Sequence, residues 1–191
     1  MIMKNRIETP RLLLRPFMES DLPAFFACCR NPNIGDNAGW KPHETLEESE
    51  QILHSIFMEQ ENIWAILLKE ENQLIGSIGL IHDPARENPY SRMLGYWLDE
   101  SFWGNGYMSE AVRNVLKHAF EELQMDLVTA NCYPHNSRSL HVLECNGFVY
   151  EGTLHQAEQI YNGQIYDHLC YYLTRDMYKT QSDKFVEPKE K

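Results

Sequence analysis

The chain has 191 residues and a formal net charge of −11. That length suits one domain and is enough to bury a core. With 43% hydrophobic and 12% aromatic residues, most of it should fold. The acidity argues against a nucleic-acid partner, because phosphate contacts need a basic face. It would suit a cationic substrate such as an amine or a basic peptide, and it also serves plain solubility. No apolar run approaches the roughly 18 residues of a membrane span, and the charged, Pro-interrupted start "MIMKNRIETPRLLLRPF" is no signal peptide. A cytoplasmic location is expected. Five cysteines without a C-x-x-C pair read as reduced, mostly buried thiols, and the eight histidines show no metal-binding spacing, so no metal is expected.

In chain order, "RIETPRLLLRPF" predicts an opening strand ending near Pro16. "SDLPAFFACC" follows as a helix that Ser20 can cap, and "RNPNIGDNAGWKP" reads as loop from its Pro, Gly and Asn content. "TLEESEQILHSIFME" opens with a capping box, Thr45 and Glu48, and continues as an amphipathic helix. "NIWAILLK" and "QLIGSIGLI" are strands joined by a polar turn, and "RMLGYWLDE" is a third. From Tyr107 to Leu123 the apolar residues recur at helical spacing and form one stripe. "DLVTANC" is a strand. "NSRSLHVLECNG" is a short helix that Gly147 can end in a left-handed cap. "FVYEGTLHQ" and "QIYDHLCYYL" are the last strands, with Asn162-Gly163 turning the chain between them. Residues 177–191 read as a charged, frayed tail. This mixed order predicts a single α/β domain over residues 7–176, with a largely antiparallel sheet of about seven strands and helices on its faces.

The most informative stretch is "SFWGNGYMSEA" at 101–111. A helix N-terminus offers unpaired N–H groups and partial positive charge. Gly104 and Gly106 leave the backbone bare at that point, so the amides of residues 104–109 could cradle a phosphate. The dinucleotide fingerprint fails because position 109 is Ser109, and the Walker pattern is absent. Taken alone, a G-x-G at a helix start fits a tight turn somewhat better than an anion site.

Three segments, in order, change that balance: "TPRLLLRPFMESD" (9–21), "WGNGYMSEA" (103–111) and "NSRSLHVLECNGF" (136–148). Together they resemble the GCN5-related N-acetyltransferase (GNAT) superfamily, and within it the RimJ/RimL type of ribosomal-protein N-terminal acetyltransferase. The resemblance spans about residues 7–176. It implies a GNAT fold, whose sheet splays to admit acetyl-CoA as cosubstrate, and transfer of acetyl directly to a primary amine. The acceptor it implies first is a protein N-terminus, with a small polycation or amine drug as the alternative; the molecule could be a monomer or a homodimer.

Carried over residue by residue, the resemblance makes Trp103, Gly104, Asn105, Gly106, Tyr107, Met108 and Ser109 cofactor-binding and lays the pyrophosphate on the amides of residues 104–109. It gives Leu98 the backbone N–H facing the thioester oxygen, Asn136 a contact to the cofactor arm, and Ser139 a place near the sulfur. Met108 stands where Gly or Ala is usual. Leu143 stands where many relatives carry a tyrosine that protonates the leaving thiolate, which leaves Ser139, through water, or solvent as the acid and makes a non-catalytic acyl-CoA sensor the reading of another class. The base is open between Glu100, Asp99 and Tyr96 on the one hand and solvent-facing or packing roles for each on the other. Asp36, Trp40 and His43, in and after "GDNAGWKPHE", look like an acceptor loop, where charge and a ring face could hold an amine. His135 and His141 read as surface residues and His118 as lying on the polar face of its helix. No activated cysteine is needed, so Cys132 and Cys145 read as core thiols.

Overall fold

The computed structural model describes residues 6–185, with side chains through Gln181. Its centre is one sheet of eight strands in the order β1-β2-β3-β4-β5-β6-β8-β7. The strands are β1 (Ile7–Glu8), β2 (Leu12–Arg15), β3 (Ile63–Leu68), β4 (Gln73–Ile81), β5 (Ser91–Leu98), β6 (Leu127–Cys132), β7 (Val149–Gln159) and β8 (Ile165–Thr174). That is one strand more than expected. Pro10 breaks the predicted opening strand, and Ile7–Glu8 folds back on Leu13 and Leu14 as a hairpin.

All neighbouring strands pair antiparallel except β5 and β6, which run parallel. That parallel pair is short: Ser91–Met93 match Leu127–Thr129, and the strands then separate. The wedge between Leu94–Leu98 and Ala130–Cys132 is the structural opening on which the site is built.

Helices cover both faces. Helix α4 (Tyr107–Lys117) and α5 (Ser137–Cys145) lie on one, their apolar stripes packed on Leu80, Leu94, Val128 and Leu173. Helix α1 (Leu22–Cys29) and α3 (Leu46–Ile52) lie on the other, against Ile63, Leu67, Leu74 and Trp97. Thr45 caps α3 as expected, its hydroxyl accepting from the Glu48 amide at 3.1 Å. Ser20 does not cap α1; it lies in a 3₁₀ turn, Glu19–Asp21, that leads into it.

Two segments differ from the sequence reading. The stretch read as loop contains α2 (Pro32–Ala38): Asn31 caps it by accepting from the Asn33 amide, and Pro32 is tolerated because it stands in the first turn. The tail expected to fray from residue 177 is helix α6 (Arg175–Phe185), with Met177 and Tyr178 packed on the core and Tyr178 stacked on Phe120 at 4.9 Å. Residues 186–191 lie outside the described region.

His118 is buried rather than on a polar face. After Lys117 the helix widens into a π-turn, His118–Glu122, which rolls the ring against Trp64. Cys28, Cys29 and Cys132 are buried thiols, whereas Cys145 is exposed; all five cysteines are free. No helix among the described residues is long and apolar enough to cross a membrane.

Candidate active site

Two adjoining clefts open at the wedge, of about 420 and 390 Å³. The first runs over the N-terminus of α4, between the end of β5 and the start of α5; the second lies on the α1 face of the sheet, under the β7–β8 hairpin. They share Asn37, Ala38, Tyr96, Trp97, Asn136 and Ser139, so these residues form the wall where they meet.

The first cleft has an anion seat. Gly104 and Gly106 have φ of +78° and +75°, a region that L side chains enter at a cost. A Cβ at Gly104 would meet nothing within 4 Å. Gly106 is the N-cap of α4 and supplies no side chain to its first-turn amides, which therefore face the cleft as donors for an anion. Trp103, Gly104, Gly106, Tyr107, Met108 and Ser109 line it; Asn105 does not, because its amide is turned back to the carbonyls of Phe102 and Trp103. Arg138, not anticipated from the sequence, adds a cation, its guanidinium lying 3.9 Å over the Trp103 ring.

The β5 backbone is available along the wedge. The Asp99 amide donates to the Ile75 carbonyl at 2.8 Å, one step beyond the Gly76–Leu98 pair. That pair is therefore a non-hydrogen-bonded one, and the N–H and C=O of Leu98 point away from β4, into the wedge. The Trp103 indole N–H donates to that carbonyl at 2.9 Å and leaves the Leu98 amide facing the gap.

At the junction the Tyr96 hydroxyl lies 2.8 Å from Ser139 Oγ. Burial pushes the Tyr96 phenol well above its usual pKa, with the bond to Ser139 opposing, so it holds its proton through the neutral range. Asn136 caps α5, its Oδ1 accepting from the Ser139 amide at 3.1 Å, and thereby fixes the serine beside Tyr96. Leu143 is fully buried in the core.

The second cleft holds a carboxylate that nothing in the local pattern singles out, Glu158. Glu158 Oε2 accepts from the Tyr133 hydroxyl at 2.7 Å and lies 2.9 Å from His168 Nε2. Burial and the neighbouring carboxylate raise the Tyr133 pKa, which keeps it a donor. A bulge sets the position of Glu158: the register passes from Leu154↔His168 to Glu158↔Tyr166, so His155–Ala157 bow out opposite Asp167. Asp167 pins the bow, accepting from the Gln156 amide at 2.8 Å and meeting His155 Nδ1 at 2.9 Å.

Several expected residues lie elsewhere. Glu100 is exposed, lines neither cleft, and is held by the side-chain amides of Asn33 and Asn31, which lower its pKa. Asp99 accepts from the Ser101 amide. His43 is buried, 2.6 Å from Ser49 Oγ and against Phe25, and burial lowers its pKa. Asp36 accepts from the Tyr161 hydroxyl and lines neither cleft. Of Asp36, Trp40 and His43, it is Trp40 that lines the second cleft, beside Asn37 and Ala38 of the same segment. His141 lines the first cleft and contacts Cys145, while His135 stacks on Tyr133. Among the described residues no three His, Cys, Asp or Glu side chains are grouped to hold a metal.

The sequence matches the family described as "Acetyltransferase (GNAT) domain" over residues 11–149. It is 30% identical over 173 residues to the uncharacterized N-acetyltransferase YoaA of Bacillus subtilis, covering 88% of this chain and 96% of that protein. It is 28% identical over 142 residues to the ribosomal-protein-serine acetyltransferase of Escherichia coli, covering 71% and 77%. Spermidine N-acetyltransferase from Vibrio cholerae, solved in complex with CoA and spermine, superposes with a TM-score of 0.76 at 22% identity, covering 90% of this chain and 99% of that one, which speaks to the fold. The match to the family profile, the long alignment to YoaA and the wedge between β5 and β6 lead to one statement: this chain belongs to the GNAT acetyltransferase family and is an N-acetyltransferase.

Proposed function

We propose that the chain binds acetyl-CoA in the first cleft and transfers its acetyl group directly to a primary amine entering through the second, with the N-terminal amine of a protein as preferred acceptor. The observation that supports this best is the meeting of the two clefts at Tyr96 and Ser139, with the Glu158 carboxylate on the acceptor side alone. Bound acetyl-CoA supplies a thioester carbonyl, and the first-turn amides of α4 with Arg138 would hold its phosphates. An amine is mostly protonated at neutral pH, so Glu158, directly or through a water, takes the proton that frees its lone pair. The amine nitrogen then bonds to the carbonyl carbon, and the Leu98 N–H stabilises the negative oxygen that develops. As the carbon–sulfur bond breaks, the proton of the Tyr96–Ser139 pair goes to the leaving thiolate, the role left open by Leu143, and the second proton of the attacking nitrogen returns to that pair as the amide forms. The free thiols suit a cytoplasmic setting.

The test is release of free thiol from acetyl-CoA with a panel of amines, for the natural chain and for Glu158→Gln. The variant should lose about 100-fold or more in kcat/KM for the amine while binding acetyl-CoA as before. An unaffected rate removes Glu158 from the mechanism, and cofactor binding without thiol release on any amine makes the chain a sensor instead.

A further inference from the structure

The second cleft also carries information about what lies next to the acceptor nitrogen. Glu158 is the only carboxylate among the residues lining it, and neither lysine nor arginine is among them. Of the 28 acidic residues in the chain, Glu158 is thus the one that brings charge to the acceptor cleft. The remaining wall is mainly apolar, including Phe57, Ile81, Met93 and Trp97. Its one buried serine, Ser77, is already committed to the Trp64 carbonyl at 3.0 Å. A polyamine would have to leave cationic groups there without counter-charges, and an unpaired charge in an apolar cleft is costly.

The floor of this cleft is formed where two glycines pair, Gly79 on β4 and Gly95 on β5. A Cβ at Gly79 would press on Ile63 at 3.0 Å, so that position is already filled by its neighbour. A Cβ at Gly95 would meet nothing within 4 Å. Its backbone is not in the left-handed region, so no torsion demands a glycine there. Side chains alternate along a strand, so a side chain at 95 would stand between those of Met93 and Trp97, both of which line the cleft. What glycine provides at this position is space.

We infer that the recess above Gly95 is a side-chain subsite, and that the acceptor is a monoamine with a bulky apolar group beside the amine, such as a peptide N-terminus beginning with Leu or Phe. This rests on the acetyltransfer reading above, with Glu158 receiving the single amine and the recess receiving the apolar group. Gly95 is then the residue that sets acceptor size.

The experiment compares kcat/KM at saturating acetyl-CoA for Leu-Gly-Gly, Phe-Gly-Gly, Gly-Gly-Gly and spermidine, using the full chain and its Gly95→Ala and Gly95→Val variants. The natural chain should favour the Leu and Phe peptides by about tenfold or more over the glycine peptide, as an apolar pocket discriminates missing methylenes, and should favour them over spermidine. Gly95→Val should abolish that preference by lowering kcat/KM for the Leu and Phe peptides about tenfold or more beyond any change for the glycine peptide, with the KM for acetyl-CoA held and Gly95→Ala between. Gly95→Ala carries the test should the valine chain not fold. Spermidine or Gly-Gly-Gly as the better acceptor overturns the subsite, as does a Gly95→Val that lowers all acceptors alike or none. Absence of thiol release with every amine overturns the acetyltransfer reading itself, a different result from turnover without preference.

Discussion

Gly39 offers a sharp test of how the acceptor carboxylate is seated. It ends α2 in the left-handed region, φ +85°, with its amide donating to the Gly35 carbonyl at 2.8 Å. A Cβ there would lie 2.6 Å from the Tyr133 hydroxyl oxygen and 3.0 Å from Glu158 Oε1. Gly39→Ala therefore meets two costs. The left-handed conformation costs an alanine about 1–2 kcal/mol. Relieving the contact displaces the Tyr133 hydroxyl, and losing its 2.7 Å bond to Glu158 costs about 1 kcal/mol more. Together these give about 2–3 kcal/mol, or roughly 5–10 °C in Tm for a domain of this size. Because the displaced groups are Tyr133 and Glu158, the chemical effect should fall on the amine. At a temperature well below the variant's Tm, kcat/KM for the acceptor should drop about 10- to 100-fold, while the KM for acetyl-CoA holds, since neither Glu158 nor Tyr133 lines the cofactor cleft. A variant with lowered Tm and natural acceptor kinetics would refute the claim that the Tyr133 bond seats the Glu158 carboxylate for the acceptor. An unchanged Tm would refute the contact itself.

Tyr96→Phe should lower kcat without altering acetyl-CoA affinity. Because burial raises the phenol's pKa, its proton is retained as pH climbs past the ordinary value near 10, so the alkaline limb of the rate profile should stay where it is; a limb that disappears in the variant would contradict this. Gly106→Val places a β-branched residue at φ +75°, its Cβ 3.6 Å from Arg11 Nη2, at a backbone cost of roughly 1–2 kcal/mol; the loop shift that relieves this should move the first-turn amides and weaken acetyl-CoA binding by about tenfold or more, and unchanged affinity by calorimetry would discard the cradle. Glu110→Gln should cost about 2 kcal/mol of stability at pH 7 through its charged hydrogen bonds. Burial by itself would raise the Glu110 pKa, but bonds from Thr9 and Arg11 outweigh it and hold it below the ordinary 4.5, so the deficit should shrink as pH falls through that depressed value; a deficit constant from pH 7 to pH 3 would be the wrong sign.

How much of this was legible depended on whether the signal was local. The two glycines at the entrance of α4 are visible within ten residues, but taken alone they fit a turn better than an anion site, and only the resemblance to the GNAT superfamily favoured the cradle and pointed to Asn136 and Ser139, which the fold joins as an N-cap and the residue it caps. Helix α2 was misread because Pro, Gly and Asn suggest a loop by composition, while their order, Asn31 then Pro32 then Gly39 at the end, is that of a capped helix. Glu158 was out of reach for another reason. It looks like any exposed-strand glutamate until a bulge, pinned by Asp167 from the next strand, sets it opposite Tyr166 and within reach of Tyr133. The two N-terminal motif segments show the same limit from the other side. "TPR" and "SEA" can each be recognised in the sequence, but nothing there joins them. In the fold Thr9 Oγ1 donates to Glu110 Oε1 at 2.5 Å, the Arg11 amide donates to the same oxygen at 3.0 Å, and Arg11 Nε meets Oε2 at 2.6 Å. The same guanidinium donates to the Asn105 carbonyl at 3.0 Å and covers the Tyr107 ring at 4.4 Å. The turn at residues 9–11 is thus a clamp on the cradle from outside, holding the Gly104–Gly106 loop and the first turn of α4 as one rigid piece. Its residues touch neither cleft, yet they fix the backbone amides on which the anion would sit, which gives a physical reason for both segments to occur in one chain.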